Sequence, residues 1–408
     1  MAPQTQPDYW SQASLSMVDK IIDKDYQLLE ELGHGSYGCL FLGQCLSNNN
    51  YVAIKVLSKI GLDYEQLQLQ QLEIDIQASL KHPSLLGLER VIHEKNHVFM
   101  VMELCDQGDL FDFVMQDQHI NKVRDETLVK SVFLQILDAV QHMHSQGIYH
   151  RDIKMENILL RGDDDGNDDS AFTCKVADFG LATRERYSLE FGCGSITYLA
   201  PEHFDDSDDG ASSLITTTEL VPYDAAASDI WSLGILLLAF LFGRNPWQEA
   251  TSMDPSFTEF KRDPSVLKTH LFPELSTSCT QFLHGILAMH GTDRPSIDQM
   301  KEQFLQLDSL LASSDGDDLK QDDYARIPMD IPSMHKPTEK TTFDSAIFSA
   351  NTSTGMSWSD MVEEDIQRDQ DVYGYSSLSS SSVIDDEPQD YDDTDVFVHS
   401  QEKESWWL

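Results

Sequence analysis

One thirteen-residue stretch constrains this chain more than any other: Ile148-Tyr149-His150-Arg151-Asp152-Ile153-Lys154-Met155-Glu156-Asn157-Ile158-Leu159-Leu160. An acid, a cation and an amide stand there at fixed spacing, and the run then passes into an apolar strand. Those residue types suit the movement of a phosphoryl group. Asp152 could accept a hydroxyl proton, Lys154 could meet the transferring phosphate, and Asn157 could hold a divalent metal through its side-chain oxygen. His150-Arg151-Asp152 is a short match that recurs by chance. The reading therefore turns on whether the other parts of such a machine appear, in order, around it.

Residues 1–25 read as a flexible lead-in. From Tyr26 the pattern is strand-like: Leu28, Leu29 and Leu32 lead into Gly33-His34-Gly35-Ser36-Tyr37-Gly38, followed by Leu40 and Leu42. A glycine-rich turn lets backbone N–H groups approach phosphates that side chains would obstruct; a merely flexible hairpin fits the same residues. The turn joins two strands instead of opening a helix, which speaks against a dinucleotide-binding βαβ unit. Tyr51-Val52-Ala53-Ile54-Lys55-Val56-Leu57 is an apolar strand interrupted by one lysine. On the solvent face Lys55 needs no partner, but pointing inward it does, because an unpaired buried charge is costly. The helical run Tyr64 to Leu80 offers Glu73, and pairing with it and with a nucleotide's α/β-phosphates would offset that cost.

Val98 to Cys105 is a further apolar strand, ending in the turn Asp106-Gln107-Gly108-Asp109. Leu128, Val132, Ile136, Val140 and Met143, at three- and four-residue spacings, predict a helix over Leu128 to Ser145, closed by Gly147. After Leu160, the glycine and asparagine among like charges in Asp163 to Asp169 predict a solvated loop insertion. A calcium loop counted from Asp163 would need Glu at its twelfth position, where Cys174 stands. Lys175-Val176-Ala177 then leads into Asp178-Phe179-Gly180, a second acid suited to Mg²⁺.

Composition bounds the rest. At 408 residues the chain could hold two ordinary domains, or one large two-lobed domain and a tail, and 40% hydrophobic residues suffice for a sizeable core. A formal net charge of −42 argues against direct binding to nucleic acid or an anionic membrane, which need basic surfaces. It favours cationic partners or good solubility. Cys39, Cys45, Cys105, Cys174, Cys193 and Cys279 form no CxxC pair, so neither a zinc site nor a disulfide framework is expected. Reduced thiols in the cytoplasm and/or nucleus are the simplest account. Met1 to Trp10 shows no secretory signal, and the apolar Ile235 to Phe242 is too short for a bilayer and reads as a buried helix.

Taken in order, Gly33/Gly35/Gly38, Ala53-Ile54-Lys55, Glu73, His150-Arg151-Asp152, Asn157, Asp178-Phe179-Gly180, Ala200-Pro201-Glu202, Asp229 to Gly234 and Arg294 resemble the eukaryotic-type protein kinase family over about residues 26–307. The resemblance implies an α+β, two-lobed fold: a small β-rich lobe with one long helix, and a larger helical lobe. ATP and Mg²⁺ would lie between the lobes. It implies a hinge at Glu103-Leu104-Cys105 with Met102 as gatekeeper. Nucleotide contacts would come from Leu32, Gly33, His34, Gly35, Ser36, Tyr37, Gly38, Leu40, Ala53, Lys55, Glu73, Glu103, Cys105, Leu159 and Asp178. Asp152, Lys154 and Asn157 would be catalytic, Asn157 and Asp178 would hold metal, Glu202 would pair with Arg294, and Asp229 would brace the catalytic loop. Lys154, two residues after Asp152, is similar to the serine/threonine branch. Phe191 to Leu199 resembles the substrate-docking segment of fungal kinases that regulate meiosis and nutrient response. Ser195 there stands where threonine is usual and would make the same contacts.

Some positions depart from that pattern. Met155 replaces a common proline. Gln77, four residues after Glu73, is polar where the lobe-joining spine is usually apolar, and predicts a looser or differently satisfied helix position. Phe191 stands where an activating phosphothreonine often sits. Arg151 would then be met by Glu190, by a phosphorylated Ser188, or by neither if packing orders the segment. Asp109 and Glu156 match positions that accept an arginine three residues before the acceptor, and Ala239 replaces a further acidic contact. The expected partners are protein substrates with Ser/Thr acceptors and upstream basic residues; the sequence does not give the oligomeric state, for which a monomer is the default. Asp205 to Ser213 reads as an acidic, solvated insertion. Residues 313–408, rich in serine and acid, are expected to form a disordered tail with acid-flanked serines such as Ser382 and an apolar Trp406-Trp407-Leu408 ending. The competing reading is a kinase-shaped scaffold without catalysis. Such proteins commonly lose the lysine, aspartate or metal acid that stand here as Lys55, Asp152 and Asp178.

Overall fold

The apolar run around Lys55 becomes a strand covered on both faces. A computed structural model describes residues 9–35, 38–116, 123–162, 172–204 and 221–312. Its first part comprises α1 (Tyr9–Met17), β1 (Ile21–Ile22), β2 (Tyr26–Gly35), β3 (Gly38–Cys45), β4 (Tyr51–Ser58), α2 (Tyr64–Ser79), β5 (Leu88–His93) and β6 (His97–Met102). The strands form one antiparallel sheet in the order β1-β2-β3-β4-β6-β5. Register fixes which side chains share a face, because strand side chains alternate. Leu40, Lys55 and Met100 lie in one cross-strand row, and Leu42, Ala53 and Met102 in another. The inner apolar cluster contains Leu40, Ala53, Leu57, Ile74, Met100, Met102 and Leu159. Cys39, Phe41, Ile54, Val56, Phe99 and Val101 pack on the outer face with Met17 and Ile22.

That outer layer corrects the expected flexible lead-in. Part of residues 1–25 is helix and strand, with Met17 and Ile22 at 6% and 0% exposure. Lys20 crosses the outside of the sheet, its ammonium 2.7 Å from Glu94 and over the Phe99 ring. The physical reason is the apolar outer row of β4, which needs a cover that the sheet itself cannot supply. α1 is too short and too weakly patterned to be visible as a periodic segment.

The second part holds α3 (Leu110–Gln116), α4 (Glu126–Ser145), the hairpin β7 (Ile158–Gly162) and β8 (Phe172–Val176), the short pair β9 (Tyr187–Ser188) and β10 (Tyr223–Asp224), then α5 (Ala225–Phe242), α6 (Pro255–Arg262), α7 (Thr277–Ile286) and α8 (Ile297–Leu305). α4 begins two residues before the expected Leu128 because Asp125 caps it, accepting the Leu128 amide. It buries Val129, Val132, Phe133, Ile136, Leu137, Val140 and Met143, and Gly147 follows at φ +66. α5 contains the expected buried stretch Ile235 to Phe242. Among the described residues it is the one helix long and apolar enough to cross a membrane, and 94% of that window is buried inside the fold.

The fold continues past the expected boundary at 307. Glu126 accepts hydrogen bonds from the Ser309 hydroxyl and the Leu310 amide, Lys130 donates to the carbonyls of Leu307 and Asp308, and Leu310 is fully buried. Ser36 and Tyr37, the two acidic insertions and the 313–408 tail lie outside the described residues. Ile22→Ala should lower the unfolding free energy of the full chain by roughly 2–4 kcal/mol, the usual cost of a buried cavity. Urea titration measures it, and a change below about 0.5 kcal/mol would show that the N-terminal cover is not packed.

Candidate active site

Between the two parts lies a cavity of about 200 Å³, lined by Leu32, Gly33, Leu40, Ala53, Glu103, Leu104, Cys105, Gly108, Asp109 and Leu159. Leu32, Gly33, Leu40, Ala53, Glu103, Cys105 and Leu159 are thus brought together as expected. Gly33 pairs with Leu40, His34 with Cys39 and Gly35 with Gly38, so the three glycines lie at the end of the β2–β3 ladder. Two residues along β4 from Ala53, Lys55 is 4% exposed; its ammonium is 2.6 Å from Glu73 and 3.7 Å from Asp178. The inward placement of Lys55 is therefore the observed one. Gln77 is buried and differently satisfied, not looser: its amide donates to the Leu86 carbonyl at 3.3 Å and faces the Met102 sulfur at 3.4 Å.

The catalytic-loop stretch is held from beneath. Asp229 on α5, 1% exposed, accepts the backbone amides of His150 (2.9 Å) and Arg151 (2.8 Å) and contacts His144 Nε2 at 2.8 Å. Burial by itself would raise this carboxyl; the His144 contact and the Arg151 amide outweigh it and hold it below its ordinary value. Arg151 takes φ +66 and Asp178 φ +60, conformations that a non-glycine residue keeps only where its surroundings enforce them. The His150 ring contacts the Ala177 carbonyl at 3.0 Å, and the Ala177 amide donates to the Asn157 carbonyl at 2.9 Å.

At the lip of the loop a polar triangle forms. Asp152 Oδ1 accepts both the Ser195 amide and the Ser195 hydroxyl at 2.9 Å, and the Lys154 ammonium donates to the same hydroxyl at 2.9 Å. Lys154 also lies 3.3 Å from Asp152 Oδ2, and the Asn157 amide donates to that oxygen at 3.1 Å and to the Asp152 carbonyl at 2.8 Å. Asn157 Oδ1 is buried with no hydrogen-bond partner. An orphaned buried carbonyl beside an acid suits a hard cation. No group of three or more His, Cys, Asp or Glu that could cage a metal occurs among the described residues. The orphaned Asn157 oxygen, with the Asp178 carboxylate, fits Mg²⁺, which commonly takes one or two protein oxygens and completes its shell with phosphates and water.

The docking segment reaches this triangle because of one glycine. Gly194 takes φ +116, and a Cβ built on it would stand 2.5 Å from the Arg151 carbonyl. No side chain fits there. Below the segment, Glu202 and Arg294 form a two-pronged ion pair at 2.6 and 2.7 Å, with the guanidinium over the Trp231 ring.

The protein kinase domain family matches residues 26–305. The chain belongs to the protein kinase family. It is similar to the Schizosaccharomyces pombe protein named negative regulator of sexual conjugation and meiosis, 33% identical over 62% of this chain and 54% of that protein. It is also similar to the serine/threonine-protein kinase ksp1 of the same organism, 34% identical over 69% of this chain and 56% of the relative. The serine/threonine-protein kinase KSP1 of Saccharomyces cerevisiae is 33% identical over 58% of this chain and 21% of its own length. The chain thus spans about half the length, or less, of these relatives.

At Arg151 the position is met by a carboxylate. Arg151 Nη1 lies 2.6 Å from Glu190 Oε2 and 3.4 Å from the Ser188 hydroxyl, while its Nε donates to the Leu181 carbonyl. Ser188 is 4% exposed and accepts the Glu190 amide, a poor position for a phosphate, so of the expected alternatives Glu190 fits. Phe191 instead packs on Tyr223.

The expected substrate acids do come together, with a third that the sequence reading missed. Asp109 caps α3 by accepting the Asp112 amide at 2.8 Å. Burial, with Asp112 and Glu156 adding repulsion, pushes its carboxyl up to about 7. Burial likewise raises Glu156, 9% exposed, whose Oε2 is buried and without a partner; Asp152 and Asp112 add to the rise and Lys154 opposes it. Asp112 lies one helical turn from Asp109, a spacing that could have flagged it. Ala239 is buried in the core of α5. Glu190→Gln, in protein made without activation-segment phosphate, should lower kcat for a peptide substrate about tenfold by removing the charge that meets Arg151. Steady-state assays check it, and unchanged kcat would mean that packing orders the segment.

Proposed function

We propose that this chain is a serine/threonine protein kinase that transfers the γ-phosphate of ATP to Ser or Thr hydroxyls of protein substrates. The single observation that carries the reading is the Asp152–Ser195–Lys154 triangle beside the unpartnered Asn157 oxygen. Asp152 orients the attacking hydroxyl and accepts its proton; Oδ2, engaged only by the longer contacts at 3.1 and 3.3 Å, keeps capacity for that bond. Lys154 steadies the transferring group, and Lys55, held by Glu73, positions the phosphates. Asn157 and Asp178 would hold Mg²⁺, which when bound neutralises charge on the phosphate oxygens. The glycine turn covers the phosphates, and the wall from Leu32 to Leu159 takes the base.

The substrates we propose carry a basic residue upstream of the acceptor, read by Asp109 and Glu156. A buried, partnerless carboxylate oxygen next to two further acids calls for a cationic guest. The proposal includes a place in meiotic or nutrient signalling, and the name of one fungal relative, negative regulator of sexual conjugation and meiosis, supports the meiotic part. The proposal includes action as a monomer in the cytoplasm and/or nucleus, in keeping with six cysteines that are all free. A scaffold role without catalysis would leave the triangle unexplained.

Asp152→Asn should lower kcat on a basic peptide by about 10²–10⁴-fold, the usual worth of a positioned proton acceptor, while MgADP affinity stays within about twofold. Phosphate transfer that survives this change would refute catalysis by Asp152. The acid cluster gives a second test. Asp109 is mostly neutral below pH 7 and ionised above it, so preference for an arginine three residues upstream should strengthen as pH rises. The ratio of kcat/KM for an arginine peptide to its alanine counterpart should grow up to about tenfold between pH 6 and 8; a flat ratio would remove Asp109 from substrate reading.

A further inference from the structure

Glu103 opens the hinge and lines the nucleotide cavity, yet its carboxylate is fully engaged on other elements. Oε1 accepts the Gly87 amide at 2.7 Å, and Oε2 accepts Lys175 Nζ and Arg161 Nη1, each at 2.9 Å. Lys175 is a buried lysine in β8 between Cys174 and Val176, both essentially inaccessible. A charge in that setting is tolerated only with a close partner. Arg161, at the end of β7, has its side chain 41% exposed.

The stitching continues along the hinge. The Gln107 amide donates to the Leu160 carbonyl, the Leu160 amide to the Gly108 carbonyl, and the Gly162 amide to Asp106 Oδ1 at 2.9 Å. A Cβ on Gly162 would meet the Gln107 and Asp106 side chains at 3.4 and 3.6 Å, ordinary contact distances, so the hairpin end lies beside the hinge. Cys105, the cavity-lining residue within this segment, registers the cluster. Burial pushes its thiol up to about 12, Glu103 adds to the rise, and Lys175 and Arg161 oppose it.

We propose that Lys175 and Arg161, acting through Glu103, are positioning residues for the nucleotide: they clamp the hinge to the β7–β8 hairpin, so that the base-side wall is set before the nucleotide arrives. Preorganisation of this kind improves affinity by removing the ordering cost from the binding step. Neither residue lines the cavity.

The test uses the full chain as wild type, Lys175→Met, Lys175→Arg and Arg161→Ala, with MgADP titrated by calorimetry and kinetics on a basic peptide. MgADP affinity should weaken about tenfold in Lys175→Met and about threefold in Arg161→Ala, with KM for ATP following and KM for the peptide unchanged. Lys175→Arg should restore affinity to within about twofold, since it keeps the charge. The exposed Arg161 keeps the test decidable if Lys175→Met does not fold. Unchanged MgADP affinity in whichever of the two variants folds, even with a lowered melting temperature, overturns the clamp, as does equal loss of peptide and nucleotide binding. A wild-type chain that fails to bind MgADP overturns the nucleotide-site reading itself.

Discussion

The catalytic loop depends on one buried carboxylate. Asp229 projects from α5, the most enclosed helix of the fold, and takes the two backbone amides that precede Asp152. Those bonds hold Arg151 in a backbone conformation that costs free energy, and everything that Arg151 touches is then fixed. Its amide is on α5, its carbonyl sits where Gly194 must pass, and its side chain spans the Leu181 carbonyl and Glu190. A single residue thus joins the helical core, the docking segment and the activation segment. The strain at residue 151 persists because three separate elements specify it.

The charge of the chain reads differently at this scale. A net −42 sounds like diffuse solubility, but around the site the acids are sorted by partner. Asp229, Glu73, Glu103 and Glu202 each hold a named cation or N–H group. Asp109 accepts the Asp112 amide through Oδ1, yet Asp109, Asp112 and Glu156 repel one another, and Glu156 Oε2 has no partner. The first set is structural and the second is available. Burial sharpens the difference, because an unsatisfied carboxylate in a dry setting gains most from a guest that brings its own charge.

Much of this was legible because catalysis needs fixed residue types at fixed spacing. Asp152 and Lys154 can meet Ser195, and Asn157 can meet Asp152, only through a sharp loop, and the sequence displays that loop whole. The pairing of Lys55 with Glu73 could be anticipated from the cost of burial. Three features were not legible, each for a physical reason. α1 covers the outer sheet face, but at nine residues it carries no clear apolar stripe, so only the two-sided apolarity of β4 hinted at a cover. Glu103 was expected as a hinge residue and nucleotide contact; its side chain joins residues 16, 58 and 72 positions away, a distance no local pattern encodes. The choice between Glu190 and Ser188 turned on burial, which a sequence does not show.

Three ion pairs with buried cations, Lys55–Glu73, Lys175–Glu103 and Arg294–Glu202, recur at junctions between elements, the carboxylates of the last two being only partly buried. Such pairs are weak contributors to net stability, since removing two ions from water costs about as much as their attraction returns. Apolar side chains of equal volume would hold the elements together as well or better, but they would tolerate sliding. An ion pair with set hydrogen-bond directions does not, because a shift of one ångström leaves a buried charge unsatisfied. Each pair sits where sliding would be harmful: α2 against β4, the hinge against the β7–β8 hairpin, and the docking segment against the base of the large lobe. Lys55 shows the logic most plainly. A lysine in the middle of an apolar strand is destabilising unless Glu73 is in place, so the inward position of α2 is favoured by the charge that the nucleotide is expected to use.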